Sequence, residues 1–564
     1  MIAHKSPISG IATFQNQYVA TAGYDNVLIL WDGKNGRSLG RGCHDHLVNQ
    51  CTFSPDGKLL ASSSSDYTAR IWSVPDMKLQ CILSGHTDDV EGLSFHPTKN
   101  WIATSSRDAS IRIYDLNGQH IRTLEGHEDD VISVEWMKGR DILVSSSDDG
   151  TVKYWDAITG KILKDLSFND VETDTVAIAA EGTIFAGNDE GEIVVIREDH
   201  EPVMVPAHEA GIKRLVYSDA VNKLISLSYD RTFKIWLFDG EKISLDSDHQ
   251  FNNMVWPRSC AFLNEQEVVF GTFGIRYAQY DIEKCAWVNG EIEPTYGINA
   301  VCEVEGNVYT IGDAGFVFRN GEKIAEMGSL CNFIIEFEGH VITGGQTGEV
   351  FDARTGDVYY QHNSPLNCAT NFQHNGRPAL AVGTYTGEGI VFTLDAQGQV
   401  VHQENVSLHD NAIKGISASK KYIFSVCATG AAAFHDVDTF ACNNYISDGH
   451  WKIANGCVNF GEDAFASISR DLHLRVWNSE EANVIATSHR NSIKSIASDD
   501  SGRYLALGDY TGFVSMYDKE QGDFIRHMRI SDFGISSICY SKSGNKFIAS
   551  CYDGKPYDIV INQN

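Results

Sequence analysis

One segment returns again and again along this chain, and that repetition constrains the fold more than any other feature. LLASSSSDYTARIWS at 59–73 reappears as WIATSSRDASIRIYD at 101–115, ILVSSSDDGTVKYWD at 142–156, LISLSYDRTFKIWLF at 224–238 and AFASISRDLHLRVWN at 464–478. YVATAGYDNVLILWD at 18–32 belongs to the same set. Each copy is an apolar run, a tight turn bearing Asp or Gly, and an alternating run that ends on Trp or Tyr. Alternation at period two, punctuated by Ser, Asp and Gly, predicts β-hairpins rather than helices.

Taking the turn residue as a mark, the repeat continues to the end of the chain. It falls at Asp25, Asp66, Asp108, Asp149, Glu190, Asp230, Gly274, Ala314, Thr347, Thr386, Thr429, Asp471, Thr511 and Asp553. These fourteen marks are spaced about 41 residues apart, with one short interval of 33 before Thr347 and one of 44 before Gly274. At 564 residues, length alone would give a prior of roughly four ordinary domains. The repeat overrides that division and leaves almost no room for an appended catalytic domain.

A second mark sets the phase. His44, His86, His127 and His208 each precede their turn acid by 22 residues, and His4 and His450 precede theirs by 21. His489 stands 22 before Thr511, and three of these histidines follow glycine, in Gly85-His86, Gly126-His127 and Gly449-His450. The Gly-His pair, the turn Asp and a terminal Trp-Asp (Trp31-Asp32, Trp155-Asp156), at a period near 40, resemble WD40 repeats. The resemblance runs the whole length. It is sharp in units 1–4, 6 and 12 and degenerate in units 5, 7–11 and 14, where Ile196, Phe392, His435 and Ile559 stand in the tryptophan's place.

A four-stranded unit cannot bury both faces by itself, but a ring of such units can. Rings hold 4–8 blades, so fourteen units predict an all-β chain of two seven-bladed propellers. The resemblance implies the same, since tandem seven-bladed propellers of this size exist in the family. The boundary is placed at about residue 290, giving a first propeller over 1–290 and a second over 291–564. The last unit ends in KPYDIVINQN after its third strand. Family members often borrow an earlier strand there, so exchange between the chain termini, or use of the strand around CAWVNGEI, stands as an alternative closure.

Each strong unit carries His, Ser/Thr and Asp, which on paper is a hydrolase triad many times over. A nucleophilic site needs one activated Ser with an oxyanion hole, and the chain has no G-x-S-x-G elbow. What the resemblance implies instead is a buried structural network in each unit. It pairs His86 with Asp108, His127 with Asp149 and Trp155, His208 with Asp230 and Trp236, and His450 with Asp471 and Trp477. Cys427, Cys442 and Cys457 lie near His435 and His450 without a zinc spacing. GTYTGEG at 383–389 lacks the Lys-Ser/Thr end of a phosphate loop. These observations point to no metal, no cofactor and no enzyme.

The residue just before each turn mark is expected on the top rim of a ring. Read in order, this position holds Tyr24, Ser65, Arg107, Asp148, Asp189, Tyr229 and Phe273, then Asp313, Gln346, Tyr385, Ala428, Arg470, Tyr510 and Tyr552. Six of the fourteen are aromatic and two are Arg, where turns ordinarily take small polar residues. Trp256, Arg258, Trp451 and Lys452 join the same face from the histidine-side loops. Aromatic and Arg side chains anchor protein interfaces, and in resembling families this rim is where partner peptides dock. A net charge of −30 disfavours nucleic acid and anionic membrane as main partners. No apolar run approaches the roughly 20 residues of a membrane span. Thirteen irregularly spaced cysteines read as reduced thiols of a cytoplasmic protein. The expected function is a non-catalytic scaffold or adaptor subunit in a multi-protein assembly. An enzyme or small-molecule sensor using the central channel is the alternative.

Overall fold

The computed structural model describes residues 2–168, 171–251, 255–288, 293, 295–478 and 481–561. The described residues form antiparallel sheets whose strands follow chain order, four strands in each of thirteen sheets and three in the last. The blade at 131–167 shows the pattern: Val131–Trp136, Ile142–Ser147, Thr151–Asp156 and Ile162–Ser167. Its inner three strands are largely buried, while the outermost is almost wholly exposed.

The chain divides into two compact units, Met1–Thr295 and Tyr296–Asn564. The boundary at about residue 290 falls outside the described residues. Seven sheets lie in each unit, and within each the inner strand of one blade packs beside that of the next. The first ring closes where Ile8–Phe14 meets Val255–Phe262, with Ile11 N–H donating to Ser259 Oγ at 2.8 Å. In the second, Ile298–Val304 lies beside Ile535–Ser541. Each ring thus closes through its own inner strands. Ile8–Phe14 pairs with Tyr18–Gly23 in the first blade, and Ala286–Trp287 is the outer strand of the seventh. Neither of these strands is lent to the last blade in the exchange that the sequence left open, and that blade has three strands among the described residues.

Apolar cores lie between blades. Ala103, Ile111, Ile113 and Leu124 of the third pack against Val131, Val134, Trp136, Leu143 and Trp155 of the fourth. Such a face is worth about 25 cal/mol per Å² buried, and a lone blade would leave it wet.

Two local devices shape the tops of the strong repeats. The turn carboxylate works with both oxygens. Asp66 Oδ1 accepts from Thr68 N–H at 3.0 Å and closes the turn, in which Tyr67 takes a φ of +66°. Its Oδ2 accepts from Asp45 N–H at 3.0 Å and holds the preceding loop. The second device is a β-bulge just inside the start of each inner strand, for example between Val131 and Ser133 and between Ile493 and Ser495. A bulge unpairs one residue and re-aims its side chain. Here that residue faces the neighbouring blade at the channel mouth.

Candidate functional site

The structure brings the histidine, acid, hydroxyl and indole of the strong repeats together. His127 Nδ1 lies 2.7 Å from Asp149 Oδ2, its Nε2 lies 2.7 Å from Ser145 Oγ, and the Trp155 indole N–H donates to that Oγ at 2.8 Å. His208, Asp230, Ser226 and Trp236 repeat the arrangement at 2.7–2.9 Å, as do His450, Asp471, Ser467 and Trp477 at 2.6–3.1 Å. In the third blade His86 reaches Asp108 at 2.9 Å and Thr104 at 2.8 Å. Tyr114 replaces the indole there and donates instead to Ser84 O at 3.0 Å.

The bonds order the protons. Trp donates to the hydroxyl, the hydroxyl donates to Nε2, and Nδ1–H donates to the carboxylate, so every group in the chain is satisfied. Burial works against ionisation at Asp66, Asp108, Asp149, Asp230 and Asp471. The donated hydrogen bonds and neighbouring charges outweigh it and hold each below the usual aspartate range, Asp230 at about 2. A triad nucleophile must reach substrate. Ser145, Ser226 and Ser467 are fully buried, and each is capped by an indole. These networks lock structure and perform no acyl transfer. The thiols near His450 are engaged locally: Cys457 Sγ donates to Phe424 O at 3.7 Å, and Cys427 Sγ lies 3.0 Å from Thr429 Oγ1.

The rim divides into two contrasting faces. On the first ring, Tyr24, Trp256 and Phe273 pack on one another, Trp256 edge-on to Tyr24 at 5.0 Å and stacked on Phe273 at 5.4 Å. Trp256 and Phe273 are buried, and Arg258 donates to the Tyr24 hydroxyl at 2.8 Å. Arg107 donates to Glu91 at 2.6 Å and Asp130 at 2.7 Å. Lys213 pairs with Asp174 and Asp189, and its ammonium lies 5.3 Å from the Tyr229 ring. Trp256 and Phe273, expected as anchors facing outward, are therefore packing residues of this rim. Burial also pushes Asp130 and Glu172 up to about 7, with neighbouring carboxylates adding to the effect.

On the second ring two of the predicted residues are exposed. Trp451 is 65% exposed and Tyr385 37% exposed. Tyr510 and Tyr552 stack at 6.2 Å and 12°, half-buried, and Lys414 sits 4.0 Å over the Tyr385 ring. Arg470 is half-buried beside them in the sequence of the rim.

Sequence reasoning missed the bulge residues, although a signal existed. They stand five positions after the network histidine, as Ser9, Asn49, Glu91, Lys213, Lys414, Asn455 and Lys494 do after His4, His44, His86, His208, His409, His450 and His489. Where this residue is Asn it latches blade to blade. Asn49 donates to Val90 O at 3.0 Å, Asn299 to Cys331 O at 3.2 Å, Asn332 to Leu366 O at 2.7 Å, Asn367 to Ile413 O at 2.8 Å and Asn455 to Ile493 O at 2.7 Å. Asn332→Ala is expected to cost about 1 kcal/mol, the usual net worth of one such bond. Thermal unfolding checks this, and Asn332→Asp, which keeps the shape but loses the donor, should destabilise at least as much.

Residues 1–32, 36–73, 77–115 and 118–156 match the family described as WD domain, G-beta repeat. Among curated proteins, the chain is 27% identical over 231 residues to the target of rapamycin complex subunit wat1 of Schizosaccharomyces pombe, covering 39% of this chain and 73% of that protein. It is 34% identical over 99 residues to the small ribosomal subunit protein RACK1 of Caenorhabditis elegans, 17% of this chain and 30% of that one. It is 29% identical over 127 residues to pre-mRNA-processing factor 19 of Bos taurus, 21% and 25% respectively. The last two matches thus span a third or less of those relatives. Among solved structures, the RRP9 WD40 repeats align with a TM-score of 0.44 at 20% identity, over 48% of this chain and 88% of that one.

Proposed function

We propose that this chain, whose first four repeats match the WD domain, G-beta repeat family, is a non-catalytic scaffold holding protein partners on the top faces of its two propellers. The observation that carries the reading is the rim of the second ring, where Trp451 stands exposed on a histidine-side loop and Tyr385 at a turn position that ordinarily takes a small polar residue. Rigid rings presenting many loops suit peptide and domain recognition. Two rings allow two partners, or one partner gripped twice with a gain in avidity. The names of its relatives, a complex subunit and a ribosomal subunit protein among them, support membership of a larger assembly. The net charge of −30 favours protein over nucleic acid as partner. Thirteen free thiols support the cytoplasmic placement.

Affinity purification from the native host, repeated with Tyr385→Ala and Trp451→Ala together, tests the proposal. Truncating two interface anchors should lower partner recovery by about tenfold or more. The melting temperature should stay within about 2 °C, since exposed substitutions rarely move stability by more than about 0.5 kcal/mol. Unchanged recovery by a folded variant sinks the rim. A thermal shift with a small metabolite and no protein partner would favour the channel instead.

A further inference from the structure

We propose that the channel mouth of the second ring takes an acidic peptide segment of its partner; this rests on the scaffold reading above and names the chemistry of the docked chain.

Each blade contributes two residues to this mouth, the bulge residue of its inner strand and the residue before the turn mark. In the second ring the bulge positions are Asn299, Asn332, Asn367, Lys414, Asn455, Lys494 and Ser536. Together with the seven turn positions they hold three cations, Lys414, Arg470 and Lys494, and a single carboxylate, Asp313, which is 3% exposed. The chain as a whole has 75 acidic residues to 45 basic ones, so the local balance runs against its composition.

Lys414 and Lys494 come from the eleventh and thirteenth blades, yet they act on the same place. The Cys368 thiol, on the inner strand of the tenth blade, is raised to about 12 by burial, and the fields of both lysines oppose that rise. Both lysines hold the bulge position of inner strands in the same ring, which sets them at one end of it.

The first ring shows what a self-satisfied rim looks like. Arg107 sits between Glu91 and Asp130, and Lys213 between Asp174 and Asp189. Lys494, by contrast, forms no salt bridge among the described residues. Its half-buried position makes a carboxylate brought by a ligand worth more than one met in open water. Tyr385, Tyr510 and Tyr552 line the same arc and offer flat surface to a peptide. Three cations in one mouth suit a short acidic segment. A nucleic acid would need a long basic stripe, and a net charge of −30 would repel it.

The test is fluorescence anisotropy of the full-length chain with a fluorescein-labelled oligoglutamate peptide. Oligolysine, a single-stranded oligonucleotide and inorganic phosphate are run in parallel. Oligoglutamate should bind, more weakly as salt rises, and the Lys414→Glu/Lys494→Glu variant should lose about tenfold or more in affinity. Lys494→Gln is the milder variant should the double reversal disturb folding, and it should lose affinity in the same direction. Lys34→Glu, an exposed lysine of the first ring, should leave binding unchanged. Three results would overturn the assignment: undiminished oligoglutamate binding in folded Lys494 variants, tighter binding of oligolysine or oligonucleotide, or phosphate binding with no peptide binding. If oligoglutamate fails while the Tyr385/Trp451 variant still loses its partner, the acidic ligand is wrong and the scaffold reading stands. If that variant keeps its partner, the scaffold reading falls.

Discussion

Trp155→Ala is expected to destabilise the first ring by roughly 4 kcal/mol, the usual cost of emptying a fully buried indole site. Two effects add. The ring leaves a cavity against Ala103, Ile111, Ile113 and Leu124, which belong to the neighbouring blade and cannot collapse into it without moving a sheet. The Ser145 hydroxyl also loses the donor that turned its own proton toward His127. Ser145→Ala, which removes little volume, isolates the second effect at about 1–3 kcal/mol, because the imidazole Nε2 and the indole N–H are then both left without a partner. Asp149→Ala should fall in the same range, since it takes the acceptor from His127 and from Glu128 N–H. Urea unfolding followed by circular dichroism measures all three. If the network is one unit, the Ser145/Asp149 double variant will lose clearly less than the sum of the singles. Strict additivity, or a loss under about 1 kcal/mol for Trp155→Ala, would mean that these residues do not support one another.

The fold was legible because its signals are local and repeated. The turn Asp, the histidine about 22 residues before it and the period-two runs each report a contact within one blade. The networks followed for the same reason, as both partners lie inside one repeat. What could not be read was exposure. Trp256, Phe273, Tyr385 and Trp451 are all aromatic residues of the predicted rim, yet the first two stack on each other, with Trp256 edge-on to Tyr24, while the last two face solvent. The difference lies in neighbours drawn from opposite ends of a ring, Tyr24 and Arg258 being 234 residues apart. The bulge residues escaped for another reason. Their spacing from the histidine is constant, but their identity is not, ranging over Asn, Ser, Lys, Glu and Ile. A bulge is a property of the ladder, and nothing in the side-chain alternation announces it. In the thirteenth blade the turn mark Thr511 was the wrong partner to look for: His489 Nδ1 bonds Asp509, two residues earlier, at 2.7 Å.

Acidification is expected to weaken the second ring through its eleventh blade. There the network histidine is present but its partners are not. Thr429 replaces the acid and His435 the indole. His409 Nε2 lies 3.0 Å from Ser425 Oγ, and neither His409 nor His435 has a partner at Nδ1 among the described residues. Burial, reinforced at His409 by His435, lowers both to about 4 from an ordinary 6.5. Between those values the unfolded chain binds protons that the folded ring refuses. Stability is therefore intact above about pH 6.5 and is lost as pH falls toward 4. At pH 5 each histidine accounts for roughly 2 kcal/mol, or about 5 °C in melting temperature for a unit of this size. The network carboxylates do not contribute in this window. Held below their ordinary 3.8, they begin to lose their stabilisation only as the pH falls below about 4, and Asp230 has lost most of it by about 2. Asp130 and Glu172 of the first ring do contribute, with the other sign. Raised to about 7, they bind protons more readily folded than unfolded, so their own contribution to the first ring grows as pH falls from 7 toward 4, while burial of His44 pulls the other way. A single melting curve mixes these terms, whereas a variant separates them. The drop in melting temperature from pH 7 to pH 5 should shrink by about 5 °C in His435→Leu relative to the parent chain, and should grow in Asp130→Asn. Equal drops in His435→Leu and the parent would show that His435 is protonated within the folded ring, and the account of its burial would fail.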